Sequence, residues 1–408
     1  MLMINRKKTV FLFTLVIVSC LDCLSVSAKT TKMVGDTICP LSIGGRCINP
    51  LITSVPFLRI IPDARSAALG DAGLGLSADA NSMHMNASKL VFAEKKMSFA
   101  GSYSPWLRSL GLTDVYLAYM SGYYKLDERQ AVGLSLRYFN LGTITFTDNN
   151  GNTIIPFRPR EFEIAAAYSR ALSDNFAAGI TGKFIYSNLA GGQQVESTDI
   201  RAGLAYAADI SFTYRKPLKM GLTKTNLTIA GCLSNVGSKI TYTNSVNRDF
   251  LPSNLGLGMG WEFILDDYNT FTFLLDANKL TVPSPTIIDE DNNGRLDYRD
   301  KSAISGLLGS FSDAPDGARE ELREINFSTG VEYWYDKQFS FRLGYYYEDR
   351  TKGNRQFLTT GIGVKYNVFT LNFSYLVPTS NIRNPLDNTL RFTFLFDLDG
   401  SGSFGTEE

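Results

Sequence analysis

The hydrophobic pattern is clearest between Asn326 and Phe396, where apolar residues recur at every second position. Phe327, Thr329, Val331, Tyr333 and Tyr335 form one row, and Phe339, Phe341, Leu343, Tyr345 and Tyr347 form the next. Leu358 to Tyr366, Phe369 to Tyr375 and Leu390 to Phe396 continue the alternation. The residues between them are mostly small, polar or charged, among them Ser328, Gly330, Glu332, Arg342, Gly344, Lys365, Asn372 and Arg391. A period of two is the signature of strands with one apolar and one polar face. A soluble sandwich alternates too, so alternation alone leaves the solvent open. Here the polar rows carry full charges and the apolar rows end in aromatic residues. Lipid outside, a polar lumen inside and aromatic girdles at the interfaces produce that pattern.

From residue 95 onward the same reading gives fourteen strand candidates: 96–104, 113–124, 130–140, 161–171, 175–187, 200–215, 223–235, 254–265, 269–280, 326–336, 338–348, 356–366, 367–377 and 388–397. Tight turns at Leu172-Ser173-Asp174, Leu265 to Tyr268, Asp336-Lys337 and Tyr366-Asn367 alternate with long connections at 141–160, 188–199, 236–253, 281–325, 349–355 and 378–387. An even count with short turns on one rim and long loops on the other predicts an all-β fold, a 14-stranded antiparallel transmembrane β-barrel. Short turns and both termini are then expected on the periplasmic rim.

The residues before the first strand follow another pattern. A short helix is expected after Pro62, with Asp63 in its first turn and Gly70 as its stop. A second short piece is expected over Asn81–Leu90. This stretch is too short and polar for a core of its own, and the expectation is a short N-terminal plug in the periplasmic half of the barrel. The resulting organisation is a signal peptide at 1–28, an N-terminal arm at 29–55, a plug segment at 56–94, a barrel at 95–397 and a periplasmic tail at 398–408.

The signal follows from Arg6-Lys7-Lys8, the apolar run Val10 to Val18 and the small residues Val26-Ser27-Ala28. Ile17-Val18-Ser19-Cys20 offers a rival reading as a lipoprotein cleavage box. Downstream of Ala28 there are Cys39, Cys47 and Cys232; the first two are close enough in sequence for a disulfide in an oxidising compartment, and Cys232 reads as a small packing residue. With 40 basic and 40 acidic residues the chain lacks the basic excess a nucleic-acid binder needs. After the signal, no apolar run approaches the ~18 residues of a transmembrane helix, so crossing is expected by strands, with membrane lipids as the surroundings.

No enzymatic activity is expected. The single histidine, His84, lies in the plug segment with no nucleophile or orienting acid placed beside it. Gly256-Leu257-Gly258-Met259-Gly260 sits inside a strand pattern, where glycines permit bends or close packing rather than phosphate binding. No cofactor is required, but one stretch has the spacing of a calcium loop. Asp289, Asp291, Asn293, Asp297 and Asp300 fall at loop positions 1, 3, 5, 9 and 12, with Gly294 at 6, Arg295 at 7 and Leu296 at 8. Position 12 is Asp rather than Glu, which lowers the expected affinity, and a hydrated acidic surface loop is the other reading. Asp397 to Glu408 echoes the motif at the chain end, where a solvated tail is favoured. Arg137, Glu163, Lys183, Asp276, Glu332, Arg342 and Arg391 are expected in the lumen, as an internal ion network or as the lining of a conduit. In the longest outer loop a helix is expected over Asp316–Ile325, with Ala318, Leu322 and Ile325 on one face. Phe311, Asp313, Leu322 and Ile325 are the partner-binding candidates there.

Three stretches bear on identity: Thr53 to Leu58, then Pro62-Asp63-Ala64-Arg65-Ser66-Ala67-Ala68-Leu69-Gly70-Asp71, then Ala78 to Ser82. With Ser104-Pro105-Trp106-Leu107, Phe311 to Pro315 and Glu332 to Tyr335, this pattern resembles PorV-type proteins, outer-membrane components of the type IX secretion system of Bacteroidetes that are related to long-chain fatty acid transporters. The resemblance covers nearly the whole mature chain. It implies a place in the outer membrane and a binding role. Secreted proteins with C-terminal signal domains would be received from the translocon barrel and delivered to an attachment complex that includes a sortase-like peptidase. The transporter relatives carry Asn-Pro-Ala in the plug where this sequence has Asn86-Ala87-Ser88, so the local turn is expected to be less fixed. The alternative function is transport of hydrophobic small molecules, which needs an apolar pocket and a lateral opening.

Overall fold

The alternation sorts side chains between two environments, and the sorting is inside out. Along the strand Phe339–Tyr347, Phe341 and Leu343 are 48% and 46% exposed, while Arg342 between them is fully buried. A soluble protein would reverse these positions; a lipid-facing wall around a polar interior requires them. In the computed structural model, which describes residues 42–43, 46–108, 111–147, 153–195, 198–221, 223–243, 248–286, 288–380 and 389–399, the same sorting runs round a closed sheet.

The barrel has fourteen strands, β1 (Met97–Pro105), β2 (Val115–Lys125), β3 (Gln130–Leu141), β4 (Arg160–Ala171), β5 (Phe176–Asn188), β6 (Gly203–Met220), β7 (Thr223–Gly237), β8 (Asn254–Ile264), β9 (Asn269–Leu280), β10 (Ile325–Tyr335), β11 (Phe339–Tyr347), β12 (Gln356–Tyr366), β13 (Phe369–Pro378) and β14 (Leu390–Leu398). Each pairs antiparallel with its sequence neighbour, and β14 closes on β1 with Phe392 opposite Tyr103 and Leu398 opposite Met97. The fold expectation is met strand for strand. The Asp336-Lys337 turn has φ of 51° and 53°, the left-handed pair of a tight hairpin whose twist matches its strands. The β6–β7 hairpin runs further than its sequence pattern indicated: pairing continues to Met220 opposite Thr223, and Lys216 to Met220 extend it with mostly exposed side chains. Among the described residues no helix is long and apolar enough to cross a membrane.

The segment upstream of β1 lies inside the barrel, and it departs from expectation in position. It was expected in the periplasmic half with its N-terminal end on that side. Instead it runs the length of the lumen. Val55, Phe57, Leu58 and Ile60 pack with Trp106, Val115, Phe139, Ile240, Leu251 and Leu376, all at the long-loop rim. Met83, Leu90 and Ala93 pack with Ala100, Tyr123, Ala131, Ala167 and Leu395, all at the short-turn rim. The physical reason is partner matching: clusters of apolar inner-wall residues lie near both rims. The apolar residues at 55–60 and 83–93 settle on these clusters, and the charged Arg65 settles against Glu332.

The expected helix after Pro62 is α1 (Ala64–Ala67), with Asp63 as N-cap, and Gly70 stands beyond it at φ 68°. The Asn81–Leu90 piece is α2 (Ser82–Met85) followed by a 3-10 turn, Ala87–Phe92, with Asn86 at the break. The signal at 1–28 with Cys20, Cys39 and its pairing with Cys47, and the tail motif beyond Asp399 lie outside the described residues. Cys232 is buried and packs with Leu74 and Ala230.

Candidate functional site

Two places collect the sequence candidates: the contact between inner segment and wall, and the loops of the outer mouth. Asp63 accepts from the Ser66 amide at 2.7 Å, which fixes the start of α1. The next amide, that of Ala64, donates to Thr393 Oγ1 on β14 at 2.8 Å. Arg65 then projects to β10. Its Nε and Nη2 meet the two Glu332 oxygens at 2.9 and 2.7 Å, the bidentate geometry of a strong pair. Its remaining donors reach Ser77 and Asp79. Glu332 also accepts from Arg342 Nε at 2.6 Å, its cross-strand neighbour on β11, and Arg342 Nη1 donates to Asn372 at 2.8 Å. One carboxylate thus joins two strands to the inner segment.

The backbone of the segment is held as closely. Gly70 N–H donates to Thr359 Oγ1 at 2.8 Å, and the Gly73 and Leu74 amides both donate to Asp276 at 2.7 and 2.9 Å. The expectation of a less fixed turn at Asn86 is overturned. Asn86 Oδ1 accepts from the Ser88 amide and hydroxyl at 3.1 and 2.6 Å, and its Nδ2 donates to Leu74 O and Thr213. Side-chain hydrogen bonds do there what a proline ring would otherwise do. The glycine run in β8 serves close packing, since a Cβ on Gly260 would stand 2.1 Å from Gly75 O.

Some of the lumen charges bind this segment and others pair within the wall. Arg137 donates to Phe57 O and Leu58 O at 3.2 and 3.0 Å and to His84 Nδ1, so His84 is an acceptor beside a cation. Lys183 pairs with Asp209 at 2.7 Å beside a bulge in β7, where Asn235 at φ 57° turns its amide onto Asp209 and its side chain onto Lys183. Asp209 was absent from the sequence candidates, although it is in phase with the inward row Ala205, Ala207, Ser211 and Thr213. A cavity of about 110 Å³ remains between the segment and β7 to β10. Asp71, Asn278 and Asn326 line it beside apolar Ile61, Leu74 and Leu280, and the Asp71 and Asn326 Oδ1 atoms have no protein partner. That lining suits a few ordered waters.

At the outer mouth the 281–324 connection folds into α3 (Asp297–Asp300), α4 (Ala303–Gly309) and α5 (Ala318–Arg323). The helix expected to Ile325 ends earlier, because Ile325 opens β10. The side it turns to the barrel is the acidic one. Lys352 Nζ bonds Glu320 and Glu324 at 2.5 and 2.9 Å, and Lys279 bonds Glu321 at 2.9 Å and also Glu324. These two buried lysines draw the acidic face of α5 onto the barrel, which leaves Leu322 68% exposed. Burial raises the Glu320 carboxyl, but hydrogen bonds from Lys352 and the Asp316 amide outweigh it and hold the group below the usual carboxylate range. Phe311 is exposed, while Asp313 is engaged by the Ser284 amide and Lys301, so the four partner candidates do not share one face. Ile304 and Leu308 on α4, 67% and 69% exposed, were missed; their spacing of four is legible once a helix is assigned there.

The calcium-like loop runs from Asp289 into α3, whose first and last residues are Asp297 and Asp300. Asp289, Asp291 and Asp297 offer carboxylate oxygens within 4.8 Å of one another. Asp289 accepts from the Asn293 and Gly294 amides at 3.1 and 3.0 Å. Asp300 turns instead to Arg295, at 3.2 Å, and to the Asn293 side chain.

A family model described as type IX secretion system protein PorV matches residues 46–287. No curated protein matches the chain in sequence. Among solved structures, the toluene transporter TbuX of Ralstonia pickettii is 12% identical, with 82% of this chain and 98% of that chain covered and a TM-score of 0.47. The toluene transporter TodX of Pseudomonas putida is 10% identical with the same coverage and TM-score. A FadL homologue of Pseudomonas aeruginosa is 10% identical, with 86% and 99% covered and a TM-score of 0.41.

Proposed function

The chain belongs to the PorV family of outer-membrane proteins of type IX secretion, and from that premise we propose that it binds the C-terminal signal domain of secreted cargo and carries it from the translocon barrel to a cell-surface attachment complex containing a sortase-like peptidase. The family is one of secretion components, not of enzymes. The observation that supports a carrier role is the filling of the lumen. Charged wall residues such as Glu332, Arg137 and Asp276 are bonded to the inner segment, and the residual cavity is small, about 110 Å³, with a mixed polar and apolar lining. A path for hydrophobic molecules needs a predominantly apolar pocket of about 300–1,000 Å³. The surface left for a protein partner is the outer mouth, where Phe311 and Leu322 stand exposed.

Deleting the protein is expected to abolish surface attachment of proteins bearing the C-terminal signal domain while other outer-membrane proteins persist. Surface proteomics of the deletion strain checks this. A wild-type surface proteome together with impaired uptake of a hydrophobic compound would refute the carrier reading and favour transport.

The loop Asp289 to Asp300 is proposed as a calcium loop of modest affinity, held by Asp289, Asp291, Asn293, Asp297 and the Arg295 carbonyl. Asp300 is the weak member, because Arg295 already neutralises it. Asp289→Ala with Asp291→Ala is expected to remove calcium-dependent protection of the 281–324 connection against protease. Protection that responds neither to calcium nor to the substitutions leaves a hydrated surface loop.

A further inference from the structure

The order of contacts along the inner segment fixes the direction in which it runs. Asn49 N–H donates to Thr351 O at 2.9 Å, in the connection between β11 and β12. Asn49 Nδ2 reaches Glu320 on α5 at 3.2 Å and Pro285 O at 3.5 Å, in the longest connection. Ser54 N–H donates to Phe250 O at 2.9 Å, between β7 and β8. All three connections leave the rim that carries the long loops. Further along, Arg65 meets Glu332 on the wall, and Gly73 meets Asp276. At the other end, Lys125 Nζ holds Ala93 O at 3.0 Å and Tyr123 OH holds Lys95 O at 3.1 Å, beside the short turns.

Long loops mark the cell exterior in outer-membrane barrels. We propose that the polypeptide is threaded through its own barrel: it enters the lumen from the exterior at Asn49 and leaves it after Ala93 at the periplasmic rim. Asn49 to Ser54 then belong to the outer surface, beside the 281–324 connection. The closure of the lumen is therefore latched from outside. Asn49 shares Glu320 with Lys352, so α5, the β11–β12 connection and the inner segment meet in one hydrogen-bonded group. A protein bound at the outer mouth would act on the closure directly; that clause rests on the carrier reading above, whereas the threading itself does not.

The test is cysteine labelling with a membrane-impermeant maleimide on intact cells, in a background with Cys39→Ser and Cys47→Ser and with Cys232 left buried. Ile52→Cys probes the segment at a position 53% exposed, and Pro50→Cys provides a second site. Leu308→Cys marks the long-loop rim, and Asp174→Cys, in a short turn with a side chain 93% exposed, marks the other. Only protein that migrates as a folded, heat-modifiable barrel is scored. Threading predicts that positions 52 and 50 label together with 308 in intact cells, and that 174 labels only after the outer membrane is permeabilised. Labelling of 52 and 50 only alongside 174 overturns the proposal. The readout is a side of the membrane, so its failure is distinct from a failure of the secretion assay.

Discussion

Replacing Glu332 with alanine is expected to release the inner segment from the barrel wall. The Glu332 side chain is 2% exposed and is the carboxylate between two guanidinium groups, Arg65 at 2.7 Å and Arg342 at 2.6 Å. Removing one member of a buried charged group costs about 3–5 kcal/mol, because the partners remain in a low-dielectric site without compensation. Here two cations would be left. Asp79 still neutralises Arg65 in part at 3.1 Å, and Asn372 still accepts from Arg342, but neither replaces the bidentate pair. The measurement is trypsin cleavage after Arg65 in the purified, folded barrel. The wild type is expected to resist, and Glu332→Ala to be cut at a temperature where the wild type is not. Glu332→Gln, which keeps the shape and one acceptor but loses the charge, should fall between them. Equal protection in all three proteins would show that the pair does not hold the segment.

The barrel was legible because the wall obeys a period of two with few exceptions. Phe339 to Tyr347 could be read residue by residue, since each side chain there answers only to its own face. What the pattern could not deliver is direction along the lumen. Val55, Phe57, Leu58 and Ile60 are apolar in sequence, but either rim could have supplied their apolar partners. The choice was made by Trp106, Phe139, Ile240, Leu251 and Leu376, which come from separate strands and loops and meet only when the barrel closes. The same limit explains α5. Its apolar spacing put Ala318, Leu322 and Ile325 on one face without saying which side of the helix meets the barrel, and the sequence held no sign that Lys279 and Lys352, both far along the chain, would claim Glu320, Glu321 and Glu324. Buried lysines need carboxylates more than an exposed helix needs to hide one leucine.

That priority extends through the whole interior. A lumen lined by Arg137, Lys183, Arg342 and Arg391 is costly unless each cation finds an acceptor, and the wall alone does not supply enough. Arg137 finds its acceptors in the carbonyls of Phe57 and Leu58 and in His84. Asp276 finds its donors in the amides of Gly73 and Leu74. The inner segment is therefore the complement of the wall's polarity, and the wall's charge pattern is the reason the segment has one register. A segment shifted by a few residues would forfeit several charge-assisted bonds at once.

Gly344→Ala is expected to disturb that register from the side of shape rather than charge. A Cβ on Gly344 would lie 2.0 Å from the Gly70 nitrogen and 2.1 Å from the Leu69 carbonyl carbon. Both neighbours are backbone atoms, so no side chain can rotate away. Gly70 cannot yield readily either. It holds φ 68°, its own added Cβ would meet Tyr345 backbone at 2.5 Å, and its amide is bonded to Thr359. Two backbone segments touch here because both glycines lack a Cβ. Overpacking a filled interior costs about 1–3 kcal/mol where neighbours can adjust, and a backbone-to-backbone contact lies at or above the top of that range. The matched control is Gly101→Ala on β1, where an added Cβ meets nothing within 4 Å. Trypsin should cut after Arg65 in folded Gly344→Ala barrels and leave Gly101→Ala barrels as resistant as the wild type, and Gly344→Val should lose the folded, heat-modifiable band altogether. Gly344→Ala as resistant as Gly101→Ala would mean that the segment can slide to accommodate a methyl group, and the single register argued from the wall's charges would be wrong.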